Sequence, residues 1–249
     1  STVAACGHRP VEDVPTDAAS AIEALHVVQA PPLRVYGDEP AGTVQRRAED
    51  LTAVARRLGE ELFDDAPSPA LDVWLFRDAE STRRHTRQIL GRDPDPAEGF
   101  YSVADHAIVV DVSQGESAPV HYLVHAYVYA NFPRCPVWFD EGLAAMYEGA
   151  VDTVEASAAL PTLRELTALD QAGFHGTGRP VHRAMSRRVC QWLRYQGLLR
   201  SYCDQLRENH DSDPGGYATL QSALGHPEAA ELQAAWEQWL LTSDQENAP

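Results

Sequence analysis

The chain has no lysine. All 20 of its basic side chains are arginine, set against 37 acidic ones, for a net charge of -17 over 249 residues. The missing lysine reads as codon bias in a GC-rich genome rather than as a functional device. The charge balance argues against nucleic acid or an anionic membrane surface as the main partner, because phosphate binding is driven by basic patches. No apolar run approaches the length of a membrane span. The four cysteines show no CxxC spacing, which excludes a cysteine zinc site. There is also no glycine-rich phosphate loop, nucleophile elbow or dinucleotide fingerprint. What remains is ordinary globular material, 44% apolar and 23% charged, long enough for a substantial core.

Pattern and punctuation predict an α+β fold: a small mixed sheet with helices, then a mainly helical C-terminal half, with two motif-bearing helices between them. Leu33–Tyr36, Leu71–Phe76, Gly99–Val103 and Ala107–Val112 read as strands. Helical spacing covers 42–63 and 79–90, the latter ended by Gly91. A helix capped by Ser117 runs to about Ala130, and after Pro133 and Pro136 a second spans 137–149. Helices near 162–169, 180–196, 198–209, 216–224 and 228–241 complete the chain. This gives an N-terminal extension at 1–30 holding a short helix around Ala18–Leu25, an α/β part at 31–150 and a helical part at 151–249, all in one compact unit.

Val3-Ala4-Ala5-Cys6 fits the end of a bacterial lipoprotein signal. On that reading the protein is exported to the cell envelope or beyond, and a lipid on Cys6 tethers it to a membrane. The alternative is a chance Ala-Ala-Cys in an alanine-rich chain. Cys190 and Cys203, thirteen residues apart, leave a disulfide open.

The chemistry concentrates in His121-Tyr-Leu-Val-His125 and Trp138-Phe-Asp-Glu-Gly-Leu-Ala144. Two histidines four apart on a helix project from one face, so both can grip one ion. Glu141, early in the next helix, completes a His-His-Glu set that leaves a fourth position for water. Gly142 permits close helix approach, and Asp140 is placed to accept a hydrogen bond from the far nitrogen of a ligating histidine. Read blandly, His121 and His125 are core histidines, and Asp140 and Glu141 are acidic residues favoured at a helix start.

The two motifs together resemble the gluzincin zinc metallopeptidases, specifically the bacterial peptidase-MA-like group with its His-Glu-x-x-His and Trp-x-x-Glu-Gly-x-Ala helices. The similarity extends over about residues 70–242. It takes in Gly99-Phe-Tyr-Ser102 ahead of the zinc helix, and Gly197-Leu-Leu199, Gly216-Tyr-Ala-Thr-Leu220 and Trp236–Trp239 beyond it. It implies Zn²⁺ on His121, His125 and Glu141, with Fe²⁺ the less favoured ion, and a peptide or protein as substrate or ligand. One position departs from the pattern: Tyr122 stands where the family has its general base. A phenol with a pKa near 10 is a poor base at neutral pH, and a positioned base contributes about 10² to 10⁴-fold in rate. Tyr122 is therefore expected to handle a proton or touch the oxyanion, and His182 to polarise a substrate oxygen. Glu148, seven residues after Glu141, is a candidate substitute for the base, unless His182 and Glu148 are solvated surface residues. Three functions stay open: a peptidase of reduced or altered activity, an inactive pseudopeptidase that binds peptides, and a non-hydrolytic metal enzyme.

Overall fold

The structure is a computed structural model that describes residues 16–68, 70–94, 98–149 and 160–246. The Cys6 lipidation reading lies outside these residues. The fold is α+β. The described residues group into two units, one built from those up to 59 and from 65 to 130, the other from 60–64 and from 131 onward.

The first unit holds α1 (Thr16–Glu23), β1 (His26–Ala30), β2 (Leu33–Gly37), α2 (Ala41–Glu61), β3 (Leu71–Phe76), α3 (Ala79–Leu90), β4 (Gly99–Ser102), β5 (Ala107–Asp111) and α4 (Ala118–Asn131). Its sheet runs in the order β1-β2-β3-β5-β4. The central pairs β2/β3 and β3/β5 are parallel, whereas β1 and β4 pair antiparallel at the edges. The central strands are buried nearly throughout, as parallel strands covered on both faces must be.

Alternation along the strands sorts the core. Tyr36, Trp74, Phe76, Phe100 and Val109 share one face with Leu25, and Ile89 and Leu90 of α3 pack there. Tyr36 stacks on Trp74, ring centroids 3.9 Å apart. α3 is pinned at both ends: Asp78 accepts from the Ser81 amide at its start, and Gly91, at φ 69°, closes it. The opposite face carries Gly37 and Gly99, where other side chains come close. β1 falls within the stretch expected to be a loose extension. Its side chains are mostly exposed, so the pattern carries little hydrophobic signal.

The second unit is helical: α5 (Val137–Glu148), α6 (Leu163–Thr167), α7 (Gln171–Phe174), α8 (Arg179–Tyr195), α9 (Leu199–Asn209), α10 (Tyr217–Leu224) and α11 (Ala229–Glu246). α5 crosses α8 in backbone contact: a Cβ on Gly142 would lie 2.7 Å from the Ser186 carbonyl oxygen and 2.9 Å from Cys190 Sγ. Two aromatic donors fasten the turn before α10. Trp138 Nε1 donates to Gly215 O at 2.8 Å, and the Tyr202 hydroxyl donates to Gly216 O at 3.1 Å. Trp192, Trp236 and Trp239 pack together where α11 meets α8. Thr162 and Glu165 form a reciprocal capping box at α6.

Cys135, Cys190 and Cys203 are free thiols, so the pairing left open between Cys190 and Cys203 is not formed. Burial pushes the Cys203 thiol up to about 12 and raises Cys190 and the Tyr202 phenol well above their ordinary values. These groups are held neutral in the folded chain but ionise more readily in the unfolded one. Their stabilisation is full below the unfolded thiol pKa of about 8.5 and declines as pH climbs toward 12. Urea midpoints are expected to fall steadily from pH 8 to pH 10. Below unfolding concentrations of urea, mass mapping at pH 8 should find Cys190 and Cys203 resistant to iodoacetamide.

Candidate metal centre

α4 buries Leu123, Val124, Ala126, Tyr127 and Val128. Its remaining face presents His121 and His125, both half-buried. Their Nε2 atoms face each other at 3.1 Å, with the rings at right angles. A tetrahedral zinc ion with bonds of about 2.0–2.1 Å would set two ligand nitrogens roughly 3.4 Å apart. A small opening of the pair is therefore enough to admit one.

Glu141 sits in the first turns of α5 at 8% exposure, among the buried side chains of Trp138, Phe139, Leu143 and Ala144. Gly142 lets α5 close on α8 immediately behind it. One ligand atom each from His121, His125 and Glu141 lie within 4.8 Å of one another. Two imidazoles and one carboxylate are a donor set suited to zinc and, second, to iron(II). The cluster can hold a metal ion, and the three residues are those expected from the sequence.

Tyr122 lies beside this pair. Its ring centroid is 5.3 Å from that of His121 and 6.4 Å from that of His125. The ring packs on β4 at Gly99, where a Cβ would come within 2.8 Å of Tyr122 Cε2 and 2.8 Å of Val109 O. Gly99 also has φ 152°, a region side chains disfavour. The glycine of β4 thus leaves the space that the phenol ring of α4 occupies.

The structure gives His182 a local task. Its Nδ1 meets the Phe174 carbonyl at 3.0 Å, and its ring fills the space over Gly178. It ties α7 and the following turn to the start of α8. The histidine brought to the carboxylate is His175, whose Nε2 is 3.8 Å from Glu141 Oε1. Sequence reasoning missed it, because His175-Gly-Thr-Gly178 is a turn with no helical spacing to either motif. Glu148 pairs with Arg183. Asp140 bears on Cys135: its backbone hydrogen-bonds the thiol, while burial first and the Asp140 carboxylate second drive that thiol well upward.

Two expectations follow. Glu141→Ala should weaken zinc affinity by more than about 100-fold and His175→Ala by roughly 10-fold, since groups behind the ligands already contribute 10–100-fold. His182→Ala should leave affinity nearly unchanged. Competition with a chromophoric chelator measures all three. Gly99→Ala should cost about 1–3 kcal/mol from backbone strain and crowding, lowering the thermal midpoint by several degrees.

No protein-family model and no curated protein matches this chain.

Proposed function

We propose that the chain is a zinc-binding, metallopeptidase-like protein of gluzincin type. Its hydrolysis of peptides is reduced because Tyr122 stands in the place of the general base. The observation that carries this reading is the convergence of His121, His125 and Glu141, three donors of the zinc-peptidase set in the order and spacing of its two helices.

A divalent ion held by these residues supplies Lewis acidity toward a carbonyl oxygen and acidifies water. The protein's own groups do the rest. His121 and His125 orient the centre, and Glu141 offsets its charge from a site largely shielded from solvent. His175 stands 3.8 Å from the Glu141 carboxylate, close enough to add to its electrostatic surroundings. Tyr122 donates a hydrogen bond to an oxygen on which charge develops, and as a phenol it is a poor proton acceptor. The arrangement therefore keeps polarisation and loses base catalysis. Export and a lipid tether at Cys6 belong to this proposal as the setting in which such a protein meets peptides.

The test restores the missing group. Tyr122→Glu is expected to raise cleavage of unfolded casein about 10² to 10⁴-fold, and the gain should vanish in Tyr122→Glu/His121→Ala. Elemental analysis of the purified protein is expected to find one zinc per chain and none in His121→Ala/His125→Ala. Iron instead of zinc, or no gain from Tyr122→Glu in a zinc-loaded and folded protein, refutes the reading.

A further inference from the structure

A second concave site lies further along α4. Tyr129 follows His125 by four residues, as His125 follows His121, so it extends the same helix face by about 6 Å. Its ring meets Tyr101 of β4 edge to face, centroids 6.2 Å apart and planes at 64°. The two tyrosines line a cavity of about 350 Å³ together with Asp65, Pro67, Val103 and His106. Tyr129 is 43% exposed and Val103 45%, so the Tyr129 ring is reachable from solvent. No arginine is among the described residues that line it.

The half-exposed Tyr129 ring, braced edge to face by Tyr101, offers an electron-rich face toward the cavity. A cation held over that face is favoured. Asp65 adds negative charge to the lining, and the chain's net charge of -17 draws cationic ligands toward it. An apolar occupant would gain from the rings but not from Asp65. An extended chain advances about 3.3 Å per residue. A side chain roughly two residues from a peptide bond held at His121 and His125 therefore reaches the tyrosines.

We propose that this pocket is a subsite for an arginine or lysine side chain of an extended peptide. The proposal rests on the reading of the metal centre as acting on peptides, and it adds a preference for basic ones. Neither Tyr101 nor Tyr129 belongs to the proposed ligand set, so the preference can be measured as binding, apart from turnover.

The experiment uses three fluorescent alanine-rich peptides that differ at one position: arginine, citrulline (the same shape without the charge) and phenylalanine. Anisotropy titrations of the purified full chain are expected to give about five- to tenfold tighter binding for arginine than for citrulline or phenylalanine. Tyr129→Leu is expected to abolish that difference and Tyr129→Phe, which retains the ring face, to keep it. Circular dichroism of both variants guards against unfolding. Equal binding of the three peptides, tighter binding of the phenylalanine peptide, no binding at all, or a preference unchanged in Tyr129→Leu overturns the proposal. Metal content measured on the same samples separates the two readings. An arginine preference that depends on Tyr129 in a protein that takes up no zinc sinks the metal-centre reading alone. Stoichiometric zinc with no preference sinks the subsite alone.

Discussion

A carboxylate held at 8% exposure among Trp138, Phe139, Leu143 and Ala144 is the constraint around which the centre is arranged. An ionised carboxylate in apolar surroundings is costly unless a cation or strong donors compensate it. The fold brings imidazoles to that carboxylate: His121 and His125 within 4.8 Å, ligand atom to ligand atom, and His175 at 3.8 Å. The backbone geometry behind Glu141 is equally committed. With the Ser186 carbonyl 2.7 Å from where a Cβ at position 142 would sit, α5 cannot drift along α8 without breaking the packing that aims Glu141. A rigid backing of this kind is what a metal site needs to hold its ligand count.

Position 122 is packed against the edge strand. The Tyr122 ring is large and needs a place to lie. Gly99 provides it, because a side chain there would collide with both the phenol ring and the Val109 carbonyl. Position 122 and the edge strand form one packing unit, and the phenol is built into the wall beside the ligands rather than added to an unchanged cleft.

The parts of this protein legible in the sequence are those set by short-range pattern. His121 and His125 share a face because a helix repeats every 3.6 residues, and Glu141 follows within the same stretch of chain. The central strands announced themselves by β-branched and aromatic runs, and α3 by its helical spacing and Gly91 stop. The parts that stayed hidden depend on packing between distant segments. His175, at the end of α7, approaches Glu141 because α7 packs against α5. The role of His182 is set by a carbonyl eight residues earlier, in a helix of four residues too short to show any period. β1 escaped notice because a mostly exposed edge strand needs few apolar residues. The Tyr101–Tyr129 corner joins a strand to a helix almost thirty residues away, and nothing in the local pattern of either reports the meeting.

Charge gives the exchange of glutamate for tyrosine a further consequence within the proposed reading. Two neutral imidazoles, Glu141 and a second carboxylate at 122 would balance a divalent ion, two negative charges against two positive. With a phenol at 122, a divalent ion there would keep one positive charge in excess. In a partly buried site that excess would be felt strongly, because charges interact more strongly at lower dielectric than in water. It favours ligands that bring an anionic oxygen, including the carboxylate released when a peptide bond is cut. On that reading, a phenol in place of the base would slow the chemical step and, by the same change of charge, lengthen the stay of an acidic product. Both effects would push the site from turnover toward binding. The tyrosine-lined pocket one helical turn away would then matter more for what is held than for how fast it is cut.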